Sequence, residues 1–263
     1  MATDYLLAGS LDEASEALST EATSLALAGG QSLLPAIRAG RREAGLLVDV
    51  GALQELKGIQ ADAQKIVIGA TETHFSIANS PLLLELCPVC CRVAGAIGDA
   101  QVRHRGTIGG SVAENLQSSD WVVLLAGLGA TIVSNERRLG IEKLLEPRAR
   151  SNSEIFRYLE MRRPEAASYR KLPNRASGHA IAGVFTALVD GDLRIAVTGL
   201  EDSPRRLYDL ESQLELSTEF DDPKTLQIEP ENCIEDRYAS GEYRAAMIQR
   251  LLMQSLSDLR SQL

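Results

Sequence analysis

The chain is poor in the residues that carry most autonomous catalysis. Its 263 residues include three histidines, one tryptophan and four cysteines, and aromatic side chains make up 4% of the total. His74, His104 and His179 are scattered, and His104, between Arg103 and Arg105, reads as a loop residue rather than a base. No His-Glu-x-x-His metal motif occurs, and no Gly-x-Ser-x-Gly nucleophile elbow. Two nucleotide signatures are missing as well, the Gly-x-Gly-x-x-Gly of dinucleotide folds and the Gly-x-x-x-x-Gly-Lys-Ser/Thr of the P-loop. Basic residues are in deficit, with 27 Lys and Arg against 36 Asp and Glu and a net charge of −9, which argues against a nucleic-acid partner. No run approaches the roughly 20 apolar residues of a membrane span. The start, Met1-Ala-Thr-Asp-Tyr-Leu6, has neither a basic n-region nor a long apolar run. The expectation is a cytoplasmic chain. If it is part of an enzyme, the reactive atoms belong to a cofactor.

The cysteines are too few and badly spaced for a cluster. Cys87-Pro-Val-Cys90-Cys91 is followed only by the distant Cys233. Cys90 and Cys91 would point about 100° apart on a helix. They read as reduced packing residues, and a reducing compartment makes disulfides unexpected. What is abundant is ordinary core material. Apolar residues are 44% and charged residues 24%, as in a soluble globular protein long enough for more than one domain.

Two glycine stretches stand out. Gln101-Val-Arg-His-Arg-Gly-Thr-Ile-Gly-Gly-Ser-Val-Ala-Glu-Asn115 places Gly106, Gly109 and Gly110 beside Thr107 and Ser111, with Ile108 and Val112 as core anchors. Alone it reads equally as a tight turn between buried elements or as a nest of amides for an anion. Ser24-Leu-Ala-Leu-Ala-Gly-Gly-Gln-Ser-Leu-Leu-Pro35 is a short apolar run that breaks into Gly29-Gly30 and then Gln31-Ser32. Two such loops in one chain can clamp one diphosphate from both sides.

These stretches resemble the two flavin-pyrophosphate loops of the FAD-binding medium subunit of molybdenum hydroxylases, the group of xanthine dehydrogenase and carbon monoxide dehydrogenase. Tyr169-Arg-Lys-Leu172, Arg175-Ala-Ser177 and Gly241-Glu-Tyr-Arg244 extend the resemblance along nearly the whole chain. It implies an α+β fold, the two-lobed FAD-binding fold of the p-cresol methylhydroxylase type plus a C-terminal α+β domain. The expected FAD-binding domain is 1–174, with lobes of about 1–60 and 61–174, and the C-terminal domain is 175–263. The resemblance implies non-covalent FAD here, 2Fe-2S clusters in a small iron–sulfur subunit and molybdopterin in a large subunit, assembled as a dimer of heterotrimers.

Residue by residue, the resemblance places the pyrophosphate between two sets of donors. Ala28, Gly29, Gly30, Gln31, Ser32 and Leu33 form one side, and Thr107, Ile108, Gly109, Gly110 and Ser111 the other. Asp120 matches an aspartate that holds a sugar hydroxyl of the cofactor, and it also reads as N-cap of the apolar helix that follows. Lys171 matches a lysine beside the flavin, or is a solvated strand residue. Ile97 matches an apolar neighbour of the cofactor, which core packing explains equally well. His179 falls where relatives often carry an aromatic residue. Asn115 lies in Glu114-Asn-Leu-Gln-Ser-Ser-Asp120, where relatives usually have His-Ala-Asp-Pro-Ala-Ala-Asp. Only the final aspartate is kept.

Local patterns supply elements. Ser10 reads as N-cap of a helix over 11–18, with Leu11, Ala14, Ala17 and Leu18 on one face. Strands are expected at 25–27, 46–50, 65–69, 130–133 and 155–161, and the β-α-β-β order through the third of these reads as a small α/β lobe whose end falls somewhere over roughly the first 60 to 80 residues. A helix is expected from Pro88 to Ile97 and another from 122. Residues 140–153 read as a surface loop. Asp190-Gly191 between two β-prone runs predicts a hairpin with a type I′ turn. A closing helix from Ser240 places Met247, Leu251, Leu256 and Leu259 near one face. Two further readings compete with the medium-subunit one, a self-sufficient flavin oxidase of the same fold and a non-catalytic nucleotide-binding assembly module.

Overall fold

The computed structural model describes residues 3–144, 151, 153–201, 204–214 and 228–263. The chain opens with β1 (Asp4–Leu7), α1 (Leu11–Thr20), β2 (Ser24–Leu27), α2 (Leu33–Arg38) and β3 (Leu46–Asp49). The three strands are parallel in the order β1-β3-β2. Ser10 caps α1 by accepting from the Glu13 amide at 3.2 Å, as its sequence position predicts. Ala14 and Leu18 then pack on Val48, Val50, Leu53 and Leu56. The sequence hides β1, because Tyr5 and Leu7 are exposed on an edge strand and no buried apolar run marks it.

A second unit follows: β4 (Ile59–Ala61), β5 (Lys65–Gly69), α3 (His74–Ala78), α4 (Pro81–Leu86), α5 (Pro88–Gly95), α6 (Ala100–Arg105), α7 (Ile108–Glu114), α8 (Asp120–Gly127), β6 (Thr131–Ser134), β7 (Arg138–Gly140), α9 (Ile141–Leu144) and β8 (Phe156–Arg162). Its strands form an antiparallel sheet in the order β4-β5-β8-β6-β7. The expectation that 65–69 belongs to the first lobe is therefore corrected, since β5 pairs with β4 and β8. The loop expected over 140–153 is also corrected in part. Ile141 and Leu144 are buried on the one-turn α9, while Glu146, Pro147, Arg148 and Arg150 lie outside the described residues. Every residue of α8 is buried, because it is covered on both sides.

The cover on one side is the third unit, β9 (Ala166–Pro173), β10 (Ala180–Val189), β11 (Asp192–Thr198), β12 (Arg205–Arg206), α10 (Tyr208–Gln213) and α11 (Gly241–Arg260). Its antiparallel sheet runs β12-β11-β10-β9. Asp190 and Gly191 both take positive φ, 56° and 81°, which is the I′ turn the sequence predicts. One face of the sheet carries α11, packed through Ile248, Leu252, Leu256 and Leu259. Met247 and Leu251 flank that stripe half-buried, so the expected face was rotated. The other face presents Phe185, Ala187, Val189 and Ala196 to the core of the second unit. There the Phe185 ring fills the space beside Gly127, where a Cβ would stand 2.7 Å from Cε1.

A boundary at 175 divides this sheet, because β9 is paired along its length with β10, Tyr169 opposite Phe185. We propose units that end before β4, after β8 and at the chain end.

The packing of α8 on the third sheet yields a stability test. Phe185→Ala removes a fully buried ring from the joint between units and is expected to cost about 3–5 kcal/mol. Urea unfolding measures it, and a loss under about 1 kcal/mol would mean that the joint closes around the gap.

Candidate functional site

A cleft of about 820 Å³ opens where the three units meet, inside the roughly 300–1,000 Å³ range of small-molecule sites. One wall is the turn from β2 into α2. Gly30 takes φ 72°, a left-handed conformation that L side chains rarely adopt. The turn leaves the amides of Gly29, Gly30, Gln31, Ser32 and Leu33 with no acceptor among the described residues. Five successive free N–H groups against a cleft form a nest for an anion. Ala28 and Leu33 complete the wall half-buried. Further along the same lining, the buried Ser24 hydroxyl has no hydrogen-bond partner among the described residues.

The second wall differs from its sequence reading. The stretch from 101 to 115 is two short helices, α6 and α7, joined through Gly106 and Thr107, and not a glycine loop. The Ile108 amide donates to Glu72 O at 3.1 Å and the Gly109 amide to Ala70 O at 2.9 Å. Gly110 donates to Thr107 Oγ1 at 3.2 Å, the helix N-cap bond. The amides of Ile108, Gly109 and Gly110 are therefore engaged, and Ile108 is fully buried away from the cleft. This wall offers hydroxyls, those of Thr107 and Ser111, while Asn115 ends α7 in the left-handed region at φ 46°. The two walls touch. A Cβ on Gly29 would lie 2.7 Å from the Arg105 carbonyl carbon and 2.9 Å from Gly106 Cα, so the close approach excludes any side chain there. Arg42 adds an ion pair across the gap to Glu114 on α7 at 3.6 Å.

At the far end lies Asp120, buried in the first turn of α8. Ser119 and not Asp120 is the N-cap, accepting from the Val122 amide at 3.3 Å. Tyr169 Oη donates to Asp120 Oδ1, and Lys171 Nζ lies 2.9 Å from Oδ2. Lys171 also donates to Ala96 O and Gly178 O, each at 3.0 Å. An ammonium has three donors, so all of them are engaged. Burial pushes the Asp120 carboxyl above the usual range, against the pull of Lys171 and Tyr169. Burial and the Asp120 charge push the Tyr169 phenol well up. Ile97, half-buried between α5 and α6, and His179, exposed in the turn before β10, line the cleft near this cluster.

Tyr169 and His74 escaped the sequence reading as site residues. Tyr169 and Lys171 are two apart on β9 and so share a face, a period-2 signal present in Tyr169-Arg-Lys-Leu172. His74 had no motif. It opens α3 after the Thr73 cap, and it is buried. Trp121 Nε1 donates to His74 Nδ1 at 3.1 Å, which leaves the ring proton on Nε2, 3.5 Å from Ser111 Oγ. Burial, assisted by Arg103, lowers the His74 pKa to about 4.

Residues 1–155 match the family described as the FAD binding domain in molybdopterin dehydrogenase, and the chain belongs to that family. FAD is thus its cofactor. Along 97% of its length it is 28% identical to the nicotine 6-hydroxylase medium subunit of Paenarthrobacter nicotinovorans, covering 96% of that chain. It is 26% identical to the glyceraldehyde dehydrogenase medium chain of Sulfolobus acidocaldarius, with 97% of each chain covered. In fold it resembles a chain of carbon monoxide dehydrogenase from Hydrogenophaga pseudoflava, with a TM-score of 0.89 at 24% identity, covering 100% of this chain and 98% of that one. It also resembles a chain of quinoline 2-oxidoreductase from Pseudomonas putida 86, with a TM-score of 0.86 at 23% identity and 99% of each covered. No helix among the described residues is long and apolar enough to cross a membrane.

The His74 environment predicts a pH dependence. The unfolded imidazole takes a proton near pH 6.5 and the folded one near 4. Its contribution to stability is complete above pH 6.5 and is lost as pH falls toward 4, on the order of 3 kcal/mol in all. His74→Gln is expected to lose less stability than the parent between pH 7 and 4.5 in urea unfolding. Equal losses would show that the buried neutral imidazole is not the source.

Proposed function

We propose that the chain is the FAD-carrying electron-transfer subunit of a heteromeric molybdenum hydroxylase. In this reading a small subunit with 2Fe-2S clusters delivers electrons, a large molybdopterin subunit oxidises the substrate, and the assembly is a dimer of heterotrimers in the cytoplasm. The medium-subunit and medium-chain names of the relatives support a complex of several chains. When bound, FAD supplies a carrier that takes up electrons and releases them to an external acceptor.

The observation that carries the reading is the run of free amides from Gly29 to Leu33 opposite the Thr107 and Ser111 hydroxyls. A diphosphate satisfies both sets at once, each amide bond to a charged oxygen contributing about 1.5–3 kcal/mol. Ala28 sets the first turn, and Gln31 and Ser32 add side-chain donors. Ile108, Gly109 and Gly110 act by seating α7 so that Thr107 and Ser111 face the phosphates. Asp120 keeps one lone-pair direction on each oxygen beyond Tyr169 and Lys171, enough for a sugar hydroxyl. Lys171 favours the charged form of that carboxyl against its burial and brings a positive charge beside the cofactor. Ile97 and His179 flank the ring system, and Asn115 turns the chain away from the sugar.

Acid precipitation of the native protein is expected to release one FAD per chain into the supernatant. Yellow colour left in the pellet would overturn non-covalent binding. Gly30→Val, which strains a left-handed residue beside the free amides, is expected to weaken FAD at least about tenfold in folded protein, a loss of about 1.4 kcal/mol. An unchanged dissociation constant would make the turn purely structural. The partner reading is tested separately: substrate-dependent dye reduction is expected from the native complex and absent from this chain alone. Turnover by the isolated chain would favour the self-sufficient oxidase.

A further inference from the structure

The strongest feature left unused by the FAD site is the pair Cys87 and Cys90. Cys87 sits at the corner between α4 and α5, where it is the N-cap of α5, and Cys90 follows in the first turn. The two Sγ atoms are 3.3 Å apart, and Cys90 N donates to Cys87 O at 3.0 Å. Cys91 points elsewhere, donating to Ile77 O at 3.2 Å, and Cys233 lies in a different core. The spacing selects one pair out of four cysteines.

The two thiols are also unequal. The hydrogen bond from the Cys90 thiol holds the Cys87 thiol below its ordinary range, with Arg163 and Arg92 assisting. Arg163 is fixed beside it, its Nε donating to Leu86 O at 3.0 Å. The Cys90 thiol is pushed well up by the Cys87 contact and by burial. A nucleophilic thiol at a helix N-terminus with a second thiol three residues on is the arrangement of reversible dithiols.

We infer that Cys87 and Cys90 are a redox-active dithiol, which a small neutral hydroperoxide converts to a disulfide at the α4–α5 corner. Both sulfurs are buried, which restricts the oxidant to that size class. Cys87 Sγ attacks one peroxide oxygen. An S–O bond forms, the O–O bond breaks, and the departing hydroxide takes the Cys87 proton as water. Cys90 Sγ then attacks Cys87 Sγ. The S–S bond forms, the S–O bond breaks, and a second water leaves with the Cys90 proton. Two thiols lose two electrons and hydrogen peroxide is reduced to two waters. The sulfurs must close from 3.3 Å to about 2.05 Å, a side-chain rotation at a residue outside the regular helix. The bridge staples one end of α5, whose other end leads to Ala96, the carbonyl that holds Lys171.

The experiment treats the native holoprotein with limiting hydrogen peroxide, alkylates it under denaturing conditions and maps the tryptic peptide 66–92 by mass spectrometry. The expected product has a Cys87–Cys90 disulfide, with Cys91 and Cys233 alkylated, and reverts with dithiothreitol. Loss of the Cys87 thiol is expected at least about tenfold faster than loss of Cys233. In Cys90→Ala, a sulfenic acid trapped by dimedone is expected at Cys87. Four alkylated cysteines after treatment, a bridge through Cys91, or a Cys87 no faster than Cys233 would each overturn the inference. The wild-type map decides even where the variant does not fold.

Discussion

The structure turns on one buried ion pair. Lys171 stands on β9, Asp120 opens α8, and the ammonium also holds the carbonyl of Ala96 after α5 and of Gly178 before β10. One cation thus joins the helical layer of the second unit to the sheet of the third. Burying two charges costs on the order of several kcal/mol per ion even after relaxation, and the attraction offsets it only where the remaining donors and acceptors are met. Here Lys171 has all three donors met, and Tyr169 takes the other carboxylate oxygen. Removal of either partner leaves a charge with no counterpart. The pair is better understood as fixing position than as adding stability, because an apolar pair of the same shape would pack without the desolvation cost.

The two glycine stretches reach the cleft by different physics. The first supplies backbone donors, since the turn at Gly30 leaves five amides without an acceptor among the described residues. The second supplies almost none, because its amides hold Glu72, Ala70 and Thr107. Its glycines permit close packing: a Cβ on Gly109 would lie 2.7 Å from Ala70 O. Sequence reasoning could not separate these cases, since both look like small polar residues after an apolar run. Both stretches run into a helix, and the difference lies in tertiary acceptors: Glu72 O and Ala70 O take the amides of Ile108 and Gly109, and no described residue takes those of 29–33.

Much else was legible. Ser10 and Ser240 start helices because their hydroxyls accept from amides three residues on. Asp190-Gly191 makes its turn because the β-prone runs on both sides leave no other geometry. The failures share a cause in tertiary context. The exposed edge strand β1 has no buried face to show in the sequence, and β5 was assigned by nearness in sequence rather than by its partners. Of the two readings of Lys171, the solvated strand residue is excluded by its three acceptors, which nothing local announces. His74 belongs to the cleft only because Trp121, 47 residues away, donates to it.

Those side-chain states also weigh between enzyme readings. A self-sufficient oxidase needs a group near the flavin that can take a proton from its substrate. Among the described residues, the titratable groups along the cleft are Arg42, His74, Glu114, Asp120, Glu154 and His179. His74 has its bare nitrogen occupied by an indole N–H and titrates near 4. Asp120 is held by Lys171 and Tyr169, Glu114 by Arg42, and Glu154 by Arg137 at 2.8 Å. His179 alone is exposed and without a side-chain partner of this kind, and it sits on the rim in the turn before β10. A general base must reach the proton it removes within about 3 Å, and only a rim histidine is open to do so. A cleft so built holds its charged side chains in pairs, which fixes their positions along it.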